Sequence, residues 1–190
     1  HEDVSILFCD LIGFTNTSSV IPATDLIEDL STIFTEFDTI MVRNGCIRIK
    51  TIGDGYMAAC GIEKCSDHAE KITKAGIEMI NFLNHRNAQI KWSCRVGINT
   101  GKAISGIIGK QRFQFDLIGD DVNIAARVES NAEPMIVTAT RSTIEKLSPT
   151  FSEDKIILVA SHTHNAPMAD HTKPKLGLVN NSYLDRISDV

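Results

Sequence analysis

Four polar residues stand where this chain could do chemistry: Asp10, Asp54, Asn123 and Arg127. Asp10 closes the apolar run Val4-Ser-Ile-Leu-Phe-Cys-Asp10, and Asp54 sits between Gly53 and Gly55 in the middle of the apolar stretch Gly45 to Gly61. Carboxylates are the ligands that Mg²⁺ accepts, one or two per ion, with phosphate oxygens and waters filling the remaining positions. Two acids and two ions would clamp the attacking and leaving oxygens of an in-line phosphoryl displacement. The same acids are also ordinary strand ends and turn formers, and their spacing alone leaves both readings open. Asn123 and Arg127 lie four apart on a predicted helix and therefore share one face. An amide that orients a sugar and a guanidinium that stabilises extra charge on phosphorus form a coherent pair; the alternative is a solvated arginine and a first-turn asparagine.

These residues need elements to hold them. The run from Val4 predicts a buried strand, and Leu11-Ile-Gly-Phe-Thr15 turns the chain towards a helix, with Gly13 letting backbone amides approach a ligand. From Ala23 to about Asn44, Leu26, Ile27, Leu30, Ile33, Phe34, Phe37, Ile40 and Met41 recur at helical spacing. Gly45 to Gly61 reads as a hairpin with Asp54 at its tip, and Asp67 to about Asn87 as a second helix. Gln89 to Thr100 alternates like a strand with one covered face, and glycines then predict a second hairpin through Ala103 to Ile108. Phe113 to Ile118 is a strand, Gly119-Asp120 opens a helix, Met135 to Thr138 is a short strand and Thr140 to Leu147 a short helix. Ile156 to Ala160 and Leu176 to Ile187 read as strands around a polar loop, Ser161 to Pro174. The fold class expected is α+β, a mixed and mainly antiparallel sheet with helices packed on it.

Composition narrows the possibilities. At 190 residues, 43% apolar and 23% charged, the chain is one ordinary globular domain, residues 1–190, with enough length for a core. A net charge of −5 provides no general basic surface, so neither nucleic acid nor direct membrane contact is expected, and a polyanionic ligand must be held by local cations or metal ions. Five cysteines without C-x-x-C spacing fit a reducing, cytoplasmic setting. No apolar run reaches the roughly 20 residues that cross a bilayer. The abrupt start, three residues before the first strand, is read as that of a domain excised from a longer parent, with an upstream regulatory domain and any anchor lying elsewhere in it.

Four blocks carry a family resemblance: Phe8-Cys-Asp-Leu-Ile-Gly-Phe-Thr15, Ile49-Lys-Thr-Ile-Gly-Asp-Gly-Tyr-Met57, Arg95-Val-Gly-Ile-Asn-Thr-Gly101 and Gly119-Asp-Asp-Val-Asn-Ile-Ala-Ala-Arg127. In order and spacing they resemble the motif blocks of the class III nucleotidyl cyclase catalytic domain, a ferredoxin-like or palm-like core, over roughly Val4 to Val137. The resemblance implies that Asp10 and Asp54, with the Leu11 carbonyl, bind two Mg²⁺ or Mn²⁺ ions. It implies that the amides around Gly13, Phe14 and Thr15 face a triphosphate, that Asn123 places the ribose and that Arg127 stabilises the transition state at the α-phosphate. Family members work as dimers whose sites draw on both chains. Because this chain holds every one of those residues, a homodimer with two equivalent sites is expected.

By the same resemblance Lys50 and Asp116 read the base. Adenine presents an acceptor at N1 beside a donor at N6, which an ammonium and a carboxylate satisfy. Guanine presents the reverse and would leave both groups facing their own kind, an arrangement that commonly costs several kcal/mol when buried. Members that use GTP resemble Glu at the first position and Cys or Ser at the second, so ATP is the substrate expected, with conversion to cyclic AMP and pyrophosphate. The alternatives are a guanylyl or mixed-specificity cyclase, or a silent dimerisation module. A phosphate-binding lysine of the family aligns best with Lys175 in Lys173-Pro-Lys-Leu-Gly177, although Pro174 departs from the usual pattern. His162, His164 and His171 are read as part of a polar loop rather than as a zinc site.

Overall fold

The computed structural model describes residues 1–109, 111 and 113–148. Lys175, the three histidines of the polar loop and the two strands expected after Ser148 lie outside the described residues.

Strand β1 (Val4–Ile12) is the centre of a five-stranded sheet whose order is β2 (Ile47–Ile52), β3 (Gly55–Cys60), β1, β4 (Ser93–Gly101), β7 (Val137–Ala139). All neighbours are antiparallel except β4 and β7, so the sheet is mixed and mainly antiparallel. Helices α2 (Ala23–Arg43) and α3 (His68–His85) cover one face, against Leu7, Cys9, Leu11, Tyr56, Ala58, Cys94, Val96 and Ile98. Phe37, fully buried, meets Tyr56 and Phe82 edge-on at 5.5 and 6.2 Å. Truncating it to alanine costs about 3–5 kcal/mol by the usual cavity penalty.

The other face carries α4 (Asp120–Ser130) and a separate hairpin, β5 (Ile104–Ile108) with β6 (Gln114–Ile118). Two glycines on β4 let α4 come close. A Cβ on Gly97 would lie 2.1 Å from the Glu129 nitrogen, and one on Gly101 would lie 2.2 Å from the Asp121 carboxyl carbon. Val4, Ile6, Ile49, Met57, Ala59, Ala103, Leu117, Val122 and Ala125 fill the space between.

Differences from the sequence reading have physical causes. Gly45 terminates α2 rather than opening the hairpin. With φ 68°, it donates to the Val42 carbonyl at 3.0 Å while Cys46 donates to Met41 at 2.8 Å, a Schellman closure. β4 begins at Ser93, not Gln89, because its partner β1 ends at Ile12 opposite Ser93 and leaves the earlier residues nothing to pair with. Nor has β4 only one covered face, since Val96 to Thr100 are buried without a break. Met135, at φ 61°, turns the chain and donates to the Cys94 carbonyl, so β7 starts later than expected. The last described helix, α5, is confined to Arg141–Ile144.

Candidate active site

Register brings the two acids together. Asp10 on β1 pairs with Gly55 on one side and with Arg95 on the other, and Gly55 follows Asp54 directly. Gly53 takes φ 61° at the first central position of the two-residue turn, the place where a II′ hairpin turn requires glycine. That turn carries Asp54 back beside Asp10. Burial pushes the Asp54 carboxyl up, and the Asp10 charge and hydrogen bond beside it add to the shift, while Arg95 pulls the other way.

Arg95 is the counter-charge that sequence reasoning missed. Its Nη2 donates to Asp10 Oδ2 at 2.9 Å and its Nε to Glu129 Oε1 at 3.0 Å. Glu129 is buried on α4, and burial, with the Asp10 charge, pushes its carboxyl up against the pull of Arg95. Three carboxylates therefore face one guanidinium, and when ionised they leave an excess of negative charge that a divalent cation would neutralise. Among the described residues no three His, Cys, Asp or Glu side chains form a ligand cluster. The side-chain donors on offer are thus the two aspartates, a set that fits a hard cation sharing its shell with phosphate oxygens and water. The signal for Arg95 was in the sequence. Arg95, Gly97, Asn99 and Gly101 occupy alternate positions of β4, and small or polar residues line the side that meets α4.

The turn after β1 is anchored from below. Gly13 has φ 79° and heads the five-residue α1 (Phe14–Ser18), whose first intrahelical bond runs from Thr17 N–H to the Gly13 carbonyl at 3.0 Å. The amides of Phe14, Thr15 and Asn16 have no acceptor within that helix, as at any helix start. Phe14 stacks on Trp92 with ring centroids 5.8 Å apart, and Trp92 Nε1 donates to Asp29 Oδ2 at 2.7 Å. Asp29 is also ion-paired with Arg86, whose side chain is buried.

Lys50 and Asp116 meet. Lys50 Nζ donates to Asp116 Oδ2 at 2.6 Å, and Asp116 Oδ1 accepts the Leu117 N–H at 2.8 Å, which fixes the carboxylate plane. Both side chains are mostly shielded, at 22% and 15% exposure. Lys50 also borders an open cavity of about 460 Å³ at the β2 edge, shared with Phe34, Thr35, Ile49 and Gln114.

Asn123 and Arg127 lie on the exposed face of α4, opposite buried Val122, Ala125 and Val128. Their side chains make no hydrogen bond or ion pair among the described residues. The structure therefore joins Asp10 to Asp54 and Lys50 to Asp116, and leaves Asn123 and Arg127 facing outward.

Comparison with known proteins gives a consistent picture. The family model described as the adenylate and guanylate cyclase catalytic domain matches residues 1–166. An adenylate cyclase of Mycobacterium tuberculosis is 31% identical over 158 residues, 80% of this chain and 35% of that protein. Human guanylyl cyclase C is 32% identical over 157 residues, 79% of this chain and 14% of that protein. The chain thus spans about a third or less of the length of these relatives. The guanylate cyclase domain of RhGC from Catenaria anguillulae, crystallised with GTP, superposes with a TM-score of 0.77 at 28% identity, covering 80% of this chain and 85% of that one.

Proposed function

Since the chain belongs to the adenylate and guanylate cyclase catalytic domain family, we propose that it is an adenylyl cyclase that converts ATP to 3′,5′-cyclic AMP and pyrophosphate in a homodimer. The observation that carries the choice of purine is the Lys50–Asp116 pair. An ammonium and a carboxylate held 2.6 Å apart offer one donor and one acceptor to neighbouring atoms of a base edge. With Lys50 at N1 and Asp116 at the 6-position, adenine accepts at N1 and donates from N6 and so satisfies both, whereas guanine in that orientation turns N1–H to Lys50 and O6 to Asp116 and leaves both unpaired. The relative crystallised with GTP makes a guanylyl cyclase the second reading.

Two Mg²⁺ or Mn²⁺ ions, held by Asp10, Asp54 and the Leu11 carbonyl, would supply acidification of the ribose 3′-hydroxyl and charge neutralisation on the triphosphate. Arg95 keeps the Asp10 carboxylate aimed at that position. The amides of Gly13, Phe14 and Thr15 donate to phosphate oxygens, with Phe14 held in place by Trp92. From the partner protomer, Asn123 orients the ribose and Arg127 places its guanidinium against the charge that grows on the α-phosphate. Lys175 serves as a further phosphate-binding cation.

Support for the dimer comes from the outward-facing pair on α4 and from the β5–β6 hairpin. That hairpin exposes Ile104, Ile107, Ile108, Phe113, Phe115 and Ile118, an apolar surface of the kind that marks an interface. No described helix is long and apolar enough to cross a membrane. We place the domain in the cytoplasm, under an upstream regulatory domain of a longer parent. Incubating the purified chain with ATP or GTP and Mn²⁺ tests the reading: cyclic AMP from ATP, with little product from GTP, is the result expected, and preference for GTP overturns the choice of purine.

A further inference from the structure

Three of the five cysteines gather at the end of the β2–β3 hairpin remote from Asp54, on the α2 and α3 side of the sheet. Ile47 pairs with Ala59, so Cys46 and Cys60, one position further along each strand, stand opposite one another. Cys60 Sγ donates to the Gly45 carbonyl at 3.4 Å, and Cys46 Sγ to the Asn44 carbonyl at 3.7 Å, which keeps both sulfurs at the same corner. The chain then folds back through Gly61, at φ 97°, and returns Cys65 to the side of Cys60, packed against the same core cluster. All three thiols are free.

Access separates them. Cys46 and Cys60 are each only 2% exposed. Cys65 is half-buried and lines a cavity of about 580 Å³ with Gly61, Ile62, Lys64, Ser66 and His68. Cys9 and Cys94 lie diagonally across β1 and β4, but both are sealed in the core. One thiol of the trio thus meets solvent and a second waits behind it.

We propose that Cys60 and Cys65 form a reversible disulfide when the protein meets hydrogen peroxide, with Cys65 taking the oxygen and Cys60 resolving it. The Cys65 sulfur attacks peroxide, the O–O bond breaks, one oxygen stays on sulfur as sulfenic acid and the other leaves as water. The Cys60 sulfur then attacks the Cys65 sulfur, the S–O bond breaks and a second water leaves. Two thiols lose two electrons and two protons, and one peroxide is reduced to two waters. The environment suits these roles. The neighbouring Cys46 first, and then Cys65 and the Lys71 charge, hold the Cys60 thiol below its usual range against the effect of burial, which favours the attacking thiolate. Burial raises Cys65, with the Cys60 charge adding, so its access to solvent rather than its acidity makes it the thiol that meets peroxide first.

Peptide mapping tests this without reference to cyclase activity. Trypsin cuts after Arg43, Arg48, Lys50, Lys64 and Lys71, which puts Cys46 in 44–48, Cys60 in 51–64 and Cys65 in 65–71. After peroxide treatment of the native chain, alkylation of free thiols and digestion, peptides 51–64 and 65–71 travel together and are separated by dithiothreitol. In the Cys65→Ser variant, whose melting temperature checks its fold, Cys60 stays alkylatable after the same treatment. Peptide 51–64 joined to 44–48 instead, Cys65 driven to sulfinic acid beside a reduced Cys60, or Cys60 oxidised equally in Cys65→Ser each overturns the proposal.

Discussion

Lys50 Nζ lies 2.6 Å from Asp116 Oδ2, a contact that spans 66 residues of sequence and ties the edge strand β2 to β6 of the outer hairpin. Neither side chain is part of the sheet core, and the family resemblance names the two together as the residues that read the base. Their union makes one hydrogen-bonding unit with a donor and an acceptor side by side.

Exchanging that unit should exchange the base. In Lys50→Glu with Asp116→Cys, cyclic AMP formation is expected to fall about tenfold to a hundredfold, or about 1.4–2.8 kcal/mol of recognition, while GTP becomes a substrate. Steady-state rates with each nucleotide measure this, and an unchanged ATP-to-GTP ratio removes base reading from the pair.

Asp54→Asn keeps the turn and removes a charge that its surroundings already oppose, because burial and Asp10 both push that carboxyl up. Without metal the variant should melt no lower than wild type. With metal the two diverge. Trp92, the single tryptophan of the chain, stacks on Phe14 beside the Gly13 turn. Its fluorescence should change saturably with ATP and Mn²⁺ in wild type and not in Asp54→Asn, whose turnover falls by about 10²-fold or more. A variant that turns over normally would contradict the metal assignment.

A structural prediction concerns the end of α2. Burial alone would raise Glu78, but hydrogen bonds from Arg43 at 2.7 Å and from Asn44 at 2.9 Å outweigh it and hold the carboxyl below its ordinary value of 4.5. A carboxyl lowered in the folded state adds stability above its unfolded value, and that stability is lost as the pH falls through the folded value. Glu78→Gln should therefore lose about 1 kcal/mol at pH 7, discounted for partial exposure, or about 2–4 °C in melting temperature. At pH 3 the gap to wild type should shrink. Melting curves at the two values decide it, and an equal gap at both would place the effect in packing rather than charge.

Much of this architecture was legible because local rules and tertiary needs agree in it. The apolar stripe of α2, the glycine before Asp54 and the i, i+4 spacing of Asn123 and Arg127 each follow from one segment read alone. Arg95 was harder. Its role exists only because β1, β4 and α4 converge: alternation with Gly97, Asn99 and Gly101 marks the side of the strand that Arg95 occupies, but not that Asp10 and Glu129 wait there. The close seat of α4 was hidden for a similar reason, since Gly97 and Gly101 read as turn residues until the helix that needs their missing side chains is in place. The meeting of Cys46, Cys60 and Cys65 likewise depends on hairpin register and a returning loop, which spacing does not encode.

The central claim is that each site is built from two protomers, with Asp10 and Asp54 on one and Asn123 and Arg127 on the other. Mixing Asp54→Asn with Arg127→Ala tests it most directly, since each homodimer alone should be inactive. If subunits exchange freely, half of the dimers carry one variant of each kind and one intact site, and activity should return to about a quarter of wild type. A mixture as inactive as its two components, with exchange verified by differently tagged chains, would contradict the shared site.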